Sequence, residues 1–166
     1  MVRKAVLNDV PDIYGLVESY AKKGVMLHRS SSEIYDGIRD FFVFLSPSPL
    51  SSPPRGEEVR PQEELLCGAC ALHICSEDMG EIRSLAVKEG STGKGIGTAL
   101  VNACLDEARA LGLKKVFALT YKTNFFIKKG FKEISKDVLP HKIWGECIRC
   151  VKFPNCDEHA VIIEIK

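Results

Sequence analysis

The sequence has no apolar run near the roughly 20 residues that a membrane-spanning helix requires, and no excess of charge of either sign. Its 23 Lys and Arg residues nearly balance 22 Asp and Glu residues, so the formal net charge is +1. Proteins that bind nucleic acid or membrane surfaces electrostatically carry a stronger basic bias. We therefore expect neither partner, although a local basic pocket for a phosphorylated cofactor is compatible with this balance.

The first residues also lack the charged segment and apolar stretch of a secretory signal, and they begin with an alternating strand pattern. The seven cysteines are an odd number, and 166 residues with 45% hydrophobic content can form a core without disulfides. We therefore expect a cytoplasmic protein with reduced thiols, whose residues 1–166 form one domain.

Prolines are concentrated in one segment, residues 46–64, where five of the eight lie among Ser, Gly, Arg and Glu. Proline fixes φ and lacks an N–H, so this density is incompatible with a helix or an inner strand. We predict an exposed, flexible loop here, an insertion rather than a functional lid.

Elsewhere the hydrophobic periodicity alternates between strands and helices. Strands are predicted at residues 2–7, 41–45, 65–74, 81–87, 116–120, 131–134 and 160–165, and helices at 10–23, from 31, at 97–111 and at 124–129. This order combines antiparallel hairpins with right-handed crossovers. We therefore predict an α/β fold with a mixed, mostly antiparallel sheet flanked by helices.

Residues 81–100 read as a strand, a glycine-rich turn and a helix. Gly93, Gly95 and Gly97 allow successive backbone N–H groups to point into one concavity, and the helix start adds its own unpaired N–H groups. A diphosphate is the natural occupant. A dinucleotide-binding G-x-G-x-x-G after the first strand and a P-loop pattern are both absent. A turn that binds nothing is the remaining alternative.

Residues 92–97, TGKGIG, resemble the acetyl-CoA-binding motif Q/R-x-x-G-x-G/A of the GNAT acetyltransferases, with Thr92 in place of Gln or Arg. Residues 124–131, NFFIKKGF, are similar to the family's later F-Y-x-x-x-G-F element. The resemblance covers nearly the whole chain and implies the GNAT fold with its splayed sheet, acetyl-CoA as co-substrate and no metal. The residues it implies at the cofactor are Leu85, Ala86, Val87, Thr92, Gly93, Lys94, Gly95, Ile96, Gly97, Thr98, Asn124 and Phe125.

The resemblance also implies a mechanism. In relatives the strand before the turn separates from its neighbour, and its free backbone groups hold the pantetheine arm and stabilise the oxyanion. Several relatives carry a glutamate at the start of this strand, which makes Glu81 the candidate general base; a solvated strand-end glutamate is the alternative. The tyrosine that usually protonates the departing thiolate corresponds here to Phe126, so that role is unfilled.

Residues 24–30, 33–41 and 139–158 resemble short, stand-alone amino-acid N-acetyltransferases of the N-acetylglutamate synthase type. The implied reaction acetylates the α-amine of L-glutamate, the first step of arginine biosynthesis. Arginine can hold a carboxylate with two hydrogen bonds, so the candidate acceptor residues are Arg29 and Arg83, followed by Lys122 and Lys142. Strand alternation would place Arg83 on one face with Glu81 and Leu85. Ordinary surface charges are the alternative for each cation.

Two other functions stay open: an acetyltransferase for another small amine or a peptide N-terminus, and a non-catalytic acyl-CoA-binding module. A homodimer is common in this fold. Cys147, Cys150 and Cys156 contain a C-x-x-C half-site for zinc, but a second pair at typical spacing is missing. Packing thiols or a redox pair are the alternatives for these tail cysteines.

Overall fold

The computed structural model describes residues 1–47, 64–140, 144–150 and 152–166. Most of the predicted proline-rich loop at 46–64 lies outside these ranges. Its described ends, residues 46, 47 and 64, extend the two flanking strands.

The described residues form a seven-stranded sheet flanked by helices, which confirms the predicted α/β class. The strands are β1 (Val2–Lys4), β2 (Phe41–Pro47), β3 (Glu64–Ile74), β4 (Met79–Val87), β5 (Lys115–Thr120), β6 (Lys132–Ile134) and β7 (His159–Glu164). The helices are α1 (Val10–Ala21), α2 (Ser31–Asp36), α3 (Ile96–Ala110), α4 (Thr123–Ile127) and α5 (Trp144–Cys147). The sheet order is β1-β2-β3-β4-β5-β7-β6, and only the β4–β5 pair in it is parallel.

The first strand is shorter than predicted because the chain turns to begin α1. The Asp9 carboxylate accepts hydrogen bonds from the Val6 backbone N–H (2.7 Å) and from two nitrogens of Arg3 (2.7 and 2.9 Å). Burial alone would raise the pKa of Asp9, but the bonds from Arg3 and Val6 outweigh it and lower that pKa. The strand therefore ends at Lys4, and a single 3-10 turn precedes the helix.

Two apolar layers cover the sheet. On one face α3 buries a row of side chains against the sheet: Ile96, Leu100, Val101, Cys104, Leu105 and Ala108. On the other face α1 and α2 bury Val10, Ile13, Val17 and Ile34 against β2 and β3. A methyl group on Gly68 of β3 would lie 2.9 Å from Ile96 Cγ2 and 3.2 Å from the Ala86 carbonyl oxygen. Glycine at this position therefore allows α3 to sit close to the sheet.

Two irregularities in β4 shape the centre of the sheet. The strand pairs with β5 only from Met79 to Glu81, beyond which the two strands diverge. Its register with β3 slips between Ala69 and Ala71, so that two residues of β4 stand opposite one residue of β3. This β-bulge contains Ser84, whose φ is +54°.

Candidate active site

A cleft of about 1350 Å³ opens where β4 and β5 diverge. Its walls are the loop between α1 and α2, the second half of β4, the glycine-rich turn, the end of β5 and part of the tail. Most of the residues named from the sequence line it. They are Arg29, Glu81, Arg83, Leu85, Val87, Thr92, Gly93, Gly95, Ile96, Gly97, Thr98, Lys122 and Phe125.

Three of the residues named from the sequence do not contribute to this lining. Ala86 is 1% exposed and is enclosed in the protein, so only its backbone could serve a ligand. Lys94 and Asn124 are exposed outside the cleft wall. Lys142 lies outside the described residues.

The glycine-rich turn is built to present backbone N–H groups at one end of the cleft. Gly93 and Gly95 have φ values of +77° and +78°, which a residue with a Cβ adopts only with strain. Gly95 is also the N-cap of α3, and no side chain caps the helix there. The first N–H groups of α3 lack intrahelical acceptors and carry the positive end of the helix dipole. This is the donor set that a diphosphate requires.

Two contacts next to this turn could not be inferred from the sequence. The Tyr20 hydroxyl of α1 donates a 2.6 Å hydrogen bond to the Val87 carbonyl, one of the groups expected to hold the pantetheine arm. The Lys129 ammonium donates to Thr98 Oγ1 (2.7 Å) and lies 4.4 Å from the Phe125 ring centre. Burial lowers the pKa of Lys129. The first contact joins α1 to the end of β4, and the second joins the segment after α4 to the first turn of α3.

At the other end of the cleft, Glu81 and Arg83 lie on β4 with one residue between them. The expectation that Leu85 shares their face is wrong, because the β-bulge at Ser84 inserts one residue. Leu85 packs instead against the core layer under α3, on the same side as Ile82. A bulge reverses the side-chain alternation of every later residue in the strand.

Arg29 reaches the same end of the cleft from the loop between α1 and α2. It is 7% exposed, and its Nε donates a 3.1 Å hydrogen bond to Ser84 Oγ. Ser84 is 8% exposed and also lines the cleft. The structure therefore brings Arg29, Glu81 and Arg83, which span 54 positions of sequence, to the wall of one cleft.

The tail contributes groups to the cleft that were not named as acceptor residues. Cys147, Cys150, Cys156 and Glu158 all line the cleft. Burial raises the pKa of Glu158 and that of Cys147. In the described part of the chain, no group of three or more His, Cys, Asp or Glu side chains is arranged to hold a metal ion.

The place of the expected acid is apolar. Phe126 is 3% exposed and makes edge-to-face contacts with Phe125 (5.2 Å between ring centres) and Phe131 (5.1 Å). Tyr121 lines the cleft nearby, donates to Asp157 Oδ1 (2.7 Å) and accepts a hydrogen bond from Lys152. Burial is the main cause that raises the pKa of Tyr121.

This geometry defines a class: a transferase that holds a diphosphate-bearing thioester on a helix N-terminus and receives a second substrate in the gap of a splayed sheet. Residues 34–131 match the model of the Acetyltransferase (GNAT) family. The chain belongs to this family and is an acetyltransferase that uses acetyl-CoA. No helix among the described residues is both long and apolar enough to cross a membrane.

Three relatives illustrate the range of similarity. An uncharacterized N-acetyltransferase of Chlorobaculum tepidum is 38% identical, over 97% of this chain and 94% of its own. An amino-acid acetyltransferase of Mycobacterium tuberculosis is 36% identical, over 90% of this chain and 78% of its own. N-acetylglutamate synthase of Neisseria gonorrhoeae, solved with coenzyme A and N-acetyl-glutamate, superimposes with a TM-score of 0.79 and 26% identity, over 100% of this chain and 35% of the longer one.

Proposed function

We propose that this acetyltransferase transfers the acetyl group of acetyl-CoA to the α-amine of L-glutamate, as a cytoplasmic enzyme of arginine biosynthesis. The observation that carries the proposal is the nearly buried Arg29 guanidinium, which lines the cleft end that also contains Glu81 and Arg83. A dicarboxylic amino acid offers two carboxylates to Arg29 and Arg83 and one amine to Glu81. The similarity to an amino-acid acetyltransferase and to N-acetylglutamate synthase supports the same assignment.

The chemistry begins with a proton transfer. The bound amino acid is an ammonium ion, so it must lose one proton, to Glu81 directly or through a water, before its nitrogen can attack the thioester carbonyl. The resulting tetrahedral intermediate places negative charge on the carbonyl oxygen, which a backbone N–H near the bulge would stabilise. Its collapse breaks the C–S bond, and the nitrogen loses a second proton. The products are N-acetylglutamate, coenzyme A and one proton.

The burial of Arg29 would make this end of the cleft selective for acceptors that carry a carboxylate. Arg29 is 7% exposed as a residue, so its side chain has lost most of its hydration, and an anionic ligand in the cleft would gain more from it than from a solvated surface charge. An amine without a carboxylate would gain nothing from this contact. Three carboxylates on the cleft wall, those of Glu81, Asp137 and Glu158, favour an acceptor that also carries a cation.

The test is a thiol-release assay with acetyl-CoA and separate acceptors: glutamate, glutamine, aspartate, a polyamine and a short peptide. We expect glutamate to give the highest kcat/KM. A polyamine or peptide that exceeds it would contradict the proposal and identify the alternative acceptor. No release with any acceptor, despite measurable acetyl-CoA binding, would point to a non-catalytic acyl-CoA-binding module.

The role of Glu81 is tested with Glu81→Gln. We expect kcat to fall by about 10² to 10⁴, the usual contribution of a general base, while the Kd for CoA stays unchanged. Glu77→Gln is the matched control, because Glu77 is exposed on the turn between β3 and β4 and does not line the cleft. Unchanged turnover in Glu81→Gln would exclude Glu81 as the base.

A further inference from the structure

Ser84 has a backbone conformation that is unfavourable for serine. Among the described residues it is the one non-glycine residue with a positive φ, +54°. The Cβ of an L-residue crowds the backbone in this region, whereas glycine adopts it freely. A glycine at position 84 would form the same bulge without that strain. The serine side chain therefore needs a reason of its own, and strained residues of this kind cluster at functional sites.

The contact of the side chain supplies that reason. Ser84 Oγ accepts the 3.1 Å hydrogen bond from Arg29 Nε, which joins residues 55 positions apart, and both residues are buried in the cleft wall. The positive φ is what turns the Ser84 side chain off the regular alternation of β4, so the bulge and the bond belong to one arrangement. Neither feature would be needed if β4 only had to carry backbone groups for the cofactor.

The hydrogen bond to Ser84 fixes the orientation of the Arg29 guanidinium, and the binding of a carboxylate by this group depends on its orientation. A guanidinium is a rigid planar fork, and its preference for carboxylates arises from two parallel N–H donors. Arg29 belongs to a loop segment that follows α1 and precedes the N-cap Ser30, so its own backbone lies in neither a helix nor a strand. Holding Nε at a fixed point on β4 leaves the plane of the fork little freedom to rotate.

We propose that Ser84 is a positioning residue that sets acceptor specificity, because it orients the Arg29 guanidinium toward one carboxylate of the acceptor. The proposal rests on the proposed amino-acid acceptor and adds a residue through which the choice of acceptor is made. Ser84 itself does not transfer protons or contact the thioester in this role. It acts only through Arg29.

The experiment compares Ser84→Ala and Ser84→Gly with the wild type and with Ser76→Ala, a serine on the exposed turn between β3 and β4. Ser84→Ala keeps the strain and removes the hydroxyl, whereas Ser84→Gly removes both. In both we expect the KM for glutamate to rise about tenfold, the usual effect of one hydrogen bond to a charged group. The kcat and the KM for acetyl-CoA should stay within about twofold of wild type. Ser84→Gly should melt at the same or a higher temperature.

The acceptor series separates orientation from a general loss of fit. Glutamate, glutamine and the α-amide of glutamate differ only in which carboxylate is present. If Arg29 is oriented toward one carboxylate, the increase in KM should disappear for the amide that lacks it and persist for the other. An equal increase for all three acceptors, or none for any, would overturn the proposal.

A measurement without turnover keeps this inference separate from the proposed function. The Nε–H signal of Arg29 in the ¹⁵N spectrum of the full chain should shift and exchange faster with solvent in Ser84→Ala than in wild type. An unchanged signal would overturn the positioning role whatever the substrate is. A wild type that rejects every amino acid in the thiol-release assay would refute the proposed function, and the Arg29 signal would still report on Ser84.

Discussion

Gly95→Ala is expected to weaken both the fold and coenzyme A binding. Gly95 caps α3 with a φ of +78°, and no atom lies within 4 Å of the place that an added Cβ would take. The cost of the substitution is therefore a backbone cost alone. It is about 1–2 kcal/mol for an L-residue in the left-handed region.

This cost divides between folding and binding. If alanine keeps the left-handed φ, the free energy of unfolding falls by about 1–2 kcal/mol, which lowers Tm by roughly 2–8 °C for a chain of this size. If the turn relaxes, stability is recovered but the first N–H groups of α3 turn away from the diphosphate. The Kd for coenzyme A then rises by up to about tenfold for each 1.4 kcal/mol. The two losses together should come to about 1–2 kcal/mol.

Thermal unfolding and calorimetric titration with coenzyme A measure the two parts. Gly90→Ala is the matched control, because Gly90 has a φ of +82° in equally open space but does not line the cleft. We expect it to lose similar stability and to bind coenzyme A as wild type does. If Gly90→Ala weakened binding as much as Gly95→Ala, the assignment of the diphosphate to the N-terminus of α3 would be refuted.

The remaining predictions concern the fold and the cofactor requirement. Gly68→Ala should lower the free energy of unfolding by about 1–3 kcal/mol, because its Cβ would lie 2.9 Å from Ile96 Cγ2; an unchanged denaturant midpoint would show that α3 can move away. Because the pKa of Asp9 is lowered, its contribution to stability is present above its ordinary pKa and lost as pH falls through the lowered value; Asp9→Asn should therefore be less stable at pH 7 and show a flatter acid-unfolding profile, and equal profiles would exclude this role of the Arg3 pair. Treatment with EDTA should leave thiol release unchanged, and a loss restored by zinc would revive the metal site at the tail cysteines.

The elements of the fold were predictable because their signals are local. The helical periodicity of residues 97–111 lies in one short stretch of sequence, and α3 begins and ends within one residue of the predicted bounds. The β-bulge in β4 was not predictable, because the expectation that side chains alternate between the two faces holds only for a regular strand. A single inserted residue leaves the strand pattern readable and still changes the face of Leu85.

In the candidate site, too, features with a local sequence pattern were predictable and contacts between distant residues were not. The glycine-rich turn could be proposed as a phosphate site from the sequence because that chemistry needs glycines at fixed spacing within a few residues. Ser84 and Tyr20 were missed because their contacts are with distant residues: Tyr20 with Val87, 67 positions on, and Ser84 with Arg29, 55 positions back. Serine in a strand has no sequence signal that distinguishes a strained, bonded side chain from an exposed one.

The apolar ring at position 126 is a smaller obstacle to catalysis than it first looks. A thiol has a pKa near 8.5, so releasing it as a thiolate at pH 7 costs about 2 kcal/mol, or roughly 30-fold in rate. The acceptor ammonium must lose a proton before its nitrogen can attack, so a general base acts on the step that forms the bond. In the proposed mechanism Glu81 accepts the proton of the acceptor, and the apolar Phe126 leaves only the departing thiolate without a proton donor. Solvent can protonate the departing thiolate, whereas selection of the acceptor requires side chains that the protein holds in the cleft.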